Sequence, residues 1–196
     1  MNRIKFVASW FAIILLLGLT VNISPLWSAD TDNVKQQKKT DIRKMANDTL
    51  ERLYKTQPSA RKAIENAAGY AAFSNFGMKI FLAGGGSGSG IAVNNKTKQE
   101  TYMKMLEVQA GLGFGVKKFR LIWVFENQSK LDSFINSGWE LGGQTTAAAQ
   151  MSGQGGAFAG AMSISPGVWL YQLTDDGLAI ELTAKGTKYY KDSDLN

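Results

Sequence analysis

Glycines at alternate positions set the tightest limit on how this chain folds. In "FLAGGGSGSGIAV", Phe81 to Val93, Gly84, Gly86, Gly88 and Gly90 alternate, and Gly111, Gly113 and Gly115 repeat the spacing. Alternate residues of a strand share one face. Such a row leaves a stripe without side chains, against which a helix or facing strand can sit closely. The spacing predicts a strand-turn-strand unit packed tightly in a bent sheet or barrel. Two rivals fail on their residues. A phosphate-binding P-loop would need lysine after Gly90, where Ile91 stands. A dinucleotide fingerprint would need glycine at 89 or 93, where Ser89 and Val93 stand. A flexible linker is disfavoured because both flanks are apolar and strand-like.

Composition removes most chemistry. The 196 residues include no cysteine and no histidine. Disulfides, thiolate nucleophiles, Ser-His pairs and His or Cys metal sites are therefore excluded. Carboxylates remain, at Glu126, Glu140, Asp175, Asp176 and Glu181. Asp175 and Asp176 suit a hairpin turn, Glu181 lies opposite an apolar row, and no two acids pair at a catalytic spacing. No enzymatic activity and no cofactor are expected.

The N-terminus reads as a targeting segment. Arg3 and Lys5 precede an apolar run from Phe6 to Leu19, and Pro25 is followed by small residues at Ser28 and Ala29. This pattern predicts a signal peptide over residues 1–28, with an uncleaved anchor as the alternative. The folded part is then periplasmic or secreted and associated with the envelope. Without residues 1–28 the chain has 20 basic and 16 acidic side chains, a net of +4. That mild charge favours an anionic surface over nucleic acid.

Residues 29–39 read as a polar lead-in, and residues 40–196 as one domain. Ile42, Met45, Ala46, Thr49, Leu50 and Leu53 recur at helical spacing, so a helix is predicted from a Thr40 cap to about Gln57, before Pro58. A second, small-faced helix follows from a Ser59 cap to Gly69. Strands are predicted at Tyr70–Phe73, Met78–Ala83, Gly90–Asn94, Glu100–Leu106, Gln109–Val116 and Phe119–Phe125. "NQSKLDSFINSG" reads as a helix capped by Ser129 and stopped at Gly138. A hairpin joins Val168–Leu173 to Leu178–Ala184 through Asp175-Asp176-Gly177. The fold class is α+β: two N-terminal helices on a bent, mainly antiparallel, glycine-rich sheet or partial barrel, with one inserted helix.

The chain runs in order through "AIENAAGYAAF", "GMKIFLAGGGSGSGIAV", "VQAGLGFG", "LIWVFENQSKLDSFINSGWELGG" and "GVWLYQLTDDGLAIELTAKGTKYY". These stretches resemble the SYLF domain family, a lipid-binding and actin-binding family. The resemblance spans roughly residues 40–191 and looks like a secreted bacterial member. Family members often carry an acid within the first glycine cluster, where this chain has Ser87 and Ser89. Their proline-aromatic motif is missing around Thr101–Leu106. The resemblance implies binding of anionic phospholipid head groups through a basic surface and an N-terminal helical segment. Actin is not carried over to a secreted chain.

Candidate lipid contacts are the basic-aromatic group Lys117, Lys118, Phe119 and Arg120, together with Arg61 and Lys62. Lys185, Lys188 and Lys191, beside Tyr189 and Tyr190, are further contributors. The competing reading is an envelope structural domain whose glycine-rich sheet meets another protein.

Overall fold

The computed structural model describes residues 26–80, 83–110, 115–141, 150–151, 156–175, 177–178 and 186–196. Its side chains are described over 31–74, 86–107, 119–140, 156–175, 177–178 and 186–196. Residues 1–25 of the predicted signal peptide lie outside the described residues, as does the second arm of the predicted hairpin beyond Leu178.

Two helices open the described chain, α1 (Leu26–Thr56) and α2 (Ser59–Asn66). Strands β1 (Gly69–Ile80), β2 (Ala83–Asn94), β3 (Glu100–Ala110) and β4 (Gly115–Phe125) follow. Then come α3 (Gln128–Ser137), β5 (Trp139–Leu141), β6 (Gln150–Met151), β7 (Met162–Ser165), β8 (Val168–Thr174), β9 (Gly177–Leu178) and β10 (Thr187–Lys191). The strands form one sheet in the order β5-β10-β3-β2-β1-β4-β8-β7-β6, with β9 beside β8. Every described pairing is antiparallel. The α+β class is as expected, with helices packed on a bent sheet.

Aromatic contacts measure the bend. Tyr189 lies on β10 and Trp123 on β4, four strand steps apart in the sheet. A flat sheet would separate them by about 19 Å, at about 4.8 Å per step. Their ring centroids are 5.1 Å apart. The sheet therefore curls its inner face around a core of Phe73, Trp123, Phe125, Phe134 and Tyr189, which α3 helps to close. Trp139 of β5 joins this cluster, 5.5 Å from Trp123.

The outer face carries the two N-terminal helices. Ile42, Ala46, Leu50 and Leu53 of α1 pack with Ala60 and Ile64 of α2 on Ala72, Ile91, Tyr102, Ile122, Val124 and Tyr171. Strand parity sorts the two cores: Ala72, Ile122 and Val124 face outward, and Ala71, Leu121 and Trp123 inward.

Glycine explains how the inner face closes. A Cβ at Gly90 would fall on the Phe73 ring and within 2.5 Å of the Ala72 carbonyl oxygen. A Cβ at Gly88 would meet the Ser74 carbonyl and approach the Met105 Cε to 3.0 Å. The tight-packing role holds, but the strand-turn-strand assignment does not. Gly84 to Gly90 lie within the single strand β2, paired residue for residue with β1. Ladder pairing on both sides outweighs the weak strand preference of glycine and serine.

Other boundaries move for local reasons. Helix α1 begins at Leu26, so the predicted polar lead-in is helical, although Thr31 to Lys38 are exposed. That stretch holds neither proline nor glycine, and Lys38 is tied to Asp192 at 3.6 Å. Ser59 sits inside α2, whose N-cap is Pro58. Asn95, in the β2–β3 turn, donates to the carbonyls of Ile64 and Ala67 and closes the end of α2. Asn127, not Ser129, caps α3, its side chain accepting from the Lys130 amide. Gly138 ends α3 with φ 70°, as predicted. The hairpin turn is also as predicted, with Thr174 opposite Gly177.

Candidate lipid-facing surface

The predicted group at 117–120 lies within β4, not in a turn, and its Phe119 and Arg120 face opposite sides of the sheet. Phe119 is 3% exposed in the inner core, so this aromatic is unavailable to a membrane. Arg120 faces outward, half-buried, and its Nη1 donates to the Thr49 hydroxyl of α1 at 3.2 Å. Lys117 and Lys118 lie opposite Gly77 and Phe76 in the ladder, and their side chains are outside the described residues.

Arg61 and Lys62 are exposed on α2. The Arg61 guanidinium sits 4.1 Å from the Tyr54 ring centroid and 3.9 Å from Glu65. Lys62 stands at the rim of a hollow of about 440 Å³ walled by Ala63, Ala67, Ala157 and Phe158. These two cations are apart in the fold from Arg120, since α2 leads into Ala68, whose amide donates to the Phe125 carbonyl at the C-terminal end of β4.

A different group assembles on the outer face, where the helix layer stops. Ile91, Tyr102 and Ile122 are buried beneath α1, but one row further along the sheet Ser74, Ser89, Lys104 and Arg120 are half-buried. Ser87 and Leu106 are exposed one row beyond. A cavity of about 360 Å³ opens here, lined by Ser74, Ser87, Ser89, Lys104, Leu106 and Tyr190. Only three large apolar side chains among the described residues are exposed: Val34, Leu106 and Tyr190. Two of them line this cavity. Exposed Lys188 lies opposite Leu106 in the ladder.

Lys104 is a fixed wall of this cavity. Its Nζ lies 2.9 Å from Asp192 and 3.0 Å from Asp194. The hydrogen bond to Asp192, then that to Asp194, raises its pKa above the ordinary lysine value. The same contact holds the Asp194 carboxyl below the usual carboxylate range. By linkage, the lysine end of the contact weakens only above the ordinary lysine pKa. Its Asp194 end weakens only as pH falls below the ordinary carboxylate pKa, so both stay charged near neutrality. Arg120 and Lys188 have no carboxylate partner among the described residues.

Catalytic groups do not gather. Among the described residues no three His, Cys, Asp or Glu side chains are placed to hold a metal. Glu126 accepts from the Trp169 indole at 2.8 Å, and Asp175 is spread toward Arg52 at 3.9 Å. No described helix is long and apolar enough to cross a membrane.

Comparison with known proteins bears on the family of this chain. Residues 106–196 match the Ysc84 family model, described as "Las17-binding protein actin regulator". They form a Ysc84, or SYLF, domain. The chain is also 34% identical over 154 residues to beta cell expansion factor A of Aeromonas veronii, a relative from the same family. That match takes in 79% of this chain and 57% of the relative, so the chain spans little more than half the relative's length. The SYLF segment contains β4, α3 and β10 and begins at Leu106, within the cavity lining. Helix α1, β1 and β2 come before it in sequence and complete the same sheet and core.

Proposed function

We propose that this protein is a non-enzymatic SYLF module that binds anionic phospholipid at an extracytoplasmic membrane surface. One observation carries the reading. Exposed Leu106 and Tyr190 share an uncovered stretch of sheet with Lys188 and three serines, bordered by half-buried Arg120 at the edge of α1. A tyrosine ring with a polar tip suits the interface, where head groups meet acyl chains. Membership of a lipid- and actin-binding family supports it, as does the absence of histidine and cysteine. The location rests on the basic-then-apolar N-terminus.

Each cation near an anionic leaflet contributes about 1 kcal/mol. Two of them favour anionic over neutral vesicles by about 2 kcal/mol, or roughly 30-fold. The full chain is therefore expected to sediment with phosphatidylglycerol-containing vesicles and hardly with pure phosphatidylcholine. The difference should shrink at 0.5 M salt, as the Debye length falls below about 5 Å. No sedimentation with either vesicle at low salt would overturn the proposal and favour an envelope domain that docks on protein.

A further inference from the structure

The uncovered row has more than charge. Tyr190 lies opposite Lys104, Lys104 opposite Ser89, Ser89 opposite Ser74, and Ser74 opposite Arg120. Five adjacent strands thus bring one tyrosine, one lysine, two serines and one arginine into a single line across the sheet. Ser87 stands one pleat away on the same face and lines the same cavity. Among the described residues none of the three serine hydroxyls has a protein hydrogen-bond partner.

The line fits one kind of ligand. Neighbouring hydroxyls across an antiparallel ladder stand about 5 Å apart. Two donors at that separation can each give one hydrogen bond to a single tetrahedral oxyanion. Arg120 supplies a guanidinium at the end of the line, and its planar fork matches phosphate oxygens. Thr49 takes one of its N–H groups from the α1 side and leaves the remaining donors. Lys104 is already matched by Asp192 and Asp194, so the net positive charge lies at the Arg120 end. Leu106 and Tyr190 flank the opposite end, where the apolar part of an amphiphile would lie.

We infer that the Ser74–Ser89 pair with Arg120 is a phosphate-recognition site, with Leu106 and Tyr190 receiving the apolar part of the same ligand. This rests on the lipid-binding reading and deepens it, assigning the phosphate to named side chains rather than to a diffuse basic surface. The phosphate could come from a lipid head group or from a soluble phosphate ester, and the two are separable.

The test uses the full chain, the double variant Ser74→Ala/Ser89→Ala and, separately, Arg120→Gln. Both serines are half-buried surface positions, and circular dichroism with thermal melting reports that each variant is folded. Two sets of phosphatidylcholine vesicles are matched in surface potential, one made anionic with phosphatidic acid and the other with oleate. The wild type is expected to bind phosphatidic acid vesicles about ten-fold more tightly than oleate vesicles. Either variant should abolish that preference and leave oleate binding in place. Equal wild-type binding to both sets, or an unchanged preference in both folded variants, overturns the phosphate site and leaves anionic-surface binding intact. Titration with glycerol 3-phosphate, followed by NMR shifts of residues 74, 87 and 89, is the soluble arm. Shifts there without vesicle binding uphold the site for a soluble ester and sink the membrane reading. Silence in both arms overturns both.

Discussion

Trp123→Ala should remove about 3 to 5 kcal/mol of stability, the range for truncating a large buried aromatic. Trp123 is fully buried and joins four elements. From β4 it meets Phe134 of α3 at 5.5 Å, Trp139 of β5 at 5.5 Å and Tyr189 of β10 at 5.1 Å. The cavity left behind cannot collapse easily, because its walls come from strands at both sides of the curl. A domain has about 5 to 15 kcal/mol in total, so about a fifth or more of that is at stake. The melting midpoint should fall by roughly 6 to 20 °C, measured by far-ultraviolet circular dichroism. Trp123→Phe keeps one ring in the cluster and should fall well short of this loss. A Trp123→Ala protein that melts within about 2 °C of wild type would show that the curl does not depend on this contact.

Gly90→Ala is the second large effect, and it adds atoms where Trp123→Ala removes them. The new methyl would fall on the Phe73 ring and 2.5 Å from the Ala72 carbonyl oxygen. The carbonyl belongs to β1, which is paired on its other side to β4, so it has little room to retreat. Overpacking in such a place costs about 1 to 3 kcal/mol, with the upper end expected here because backbone must move. Gly156→Ala is the control. A Cβ there meets no atom within 4 Å, and its effect should stay within about 0.5 kcal/mol. Urea midpoints of the two variants decide the matter. Equal midpoints would show that the alternate glycines are not there for close approach.

Much of this architecture was legible because periodicity survives in folded structure. The spacing of Ile42, Ala46, Thr49, Leu50 and Leu53 named the face of α1 that is buried. Leu131 and Phe134 named the buried face of α3. What escaped depended on partners distant in sequence. Ser74 to Gly77 looks like a break between strands when read alone, yet pairing with β2 and β4 carries β1 straight through it. The helical lead-in of α1 has no apolar stripe to announce it.

The candidate site was less legible than the fold. Phe119 and Arg120 are adjacent in sequence, but neighbouring residues of a strand face opposite ways. Parity also puts Ser87 and Ser89 of β2 on the face opposite the packed glycine row. Whether that face is wet depends on where α1 ends its crossing, which no local pattern states. Leu106 therefore carries no sequence signal of its exposure, whereas Lys188 and Tyr190 stand out by charge and ring.

The absence of cysteine permits a direct test, because a single introduced thiol can be labelled without background. Leu106→Cys and Tyr190→Cys, each with an environment-sensitive fluorophore, report on the proposed membrane face. Lys62→Cys and Asp132→Cys report on the α2 hollow and on the outer side of α3. On adding anionic vesicles, the probes at 106 and 190 should shift to the blue and become shielded from an aqueous quencher, while those at 62 and 132 stay in water. Vesicle binding that shields 62 or 132 and leaves 106 and 190 exposed would contradict the account.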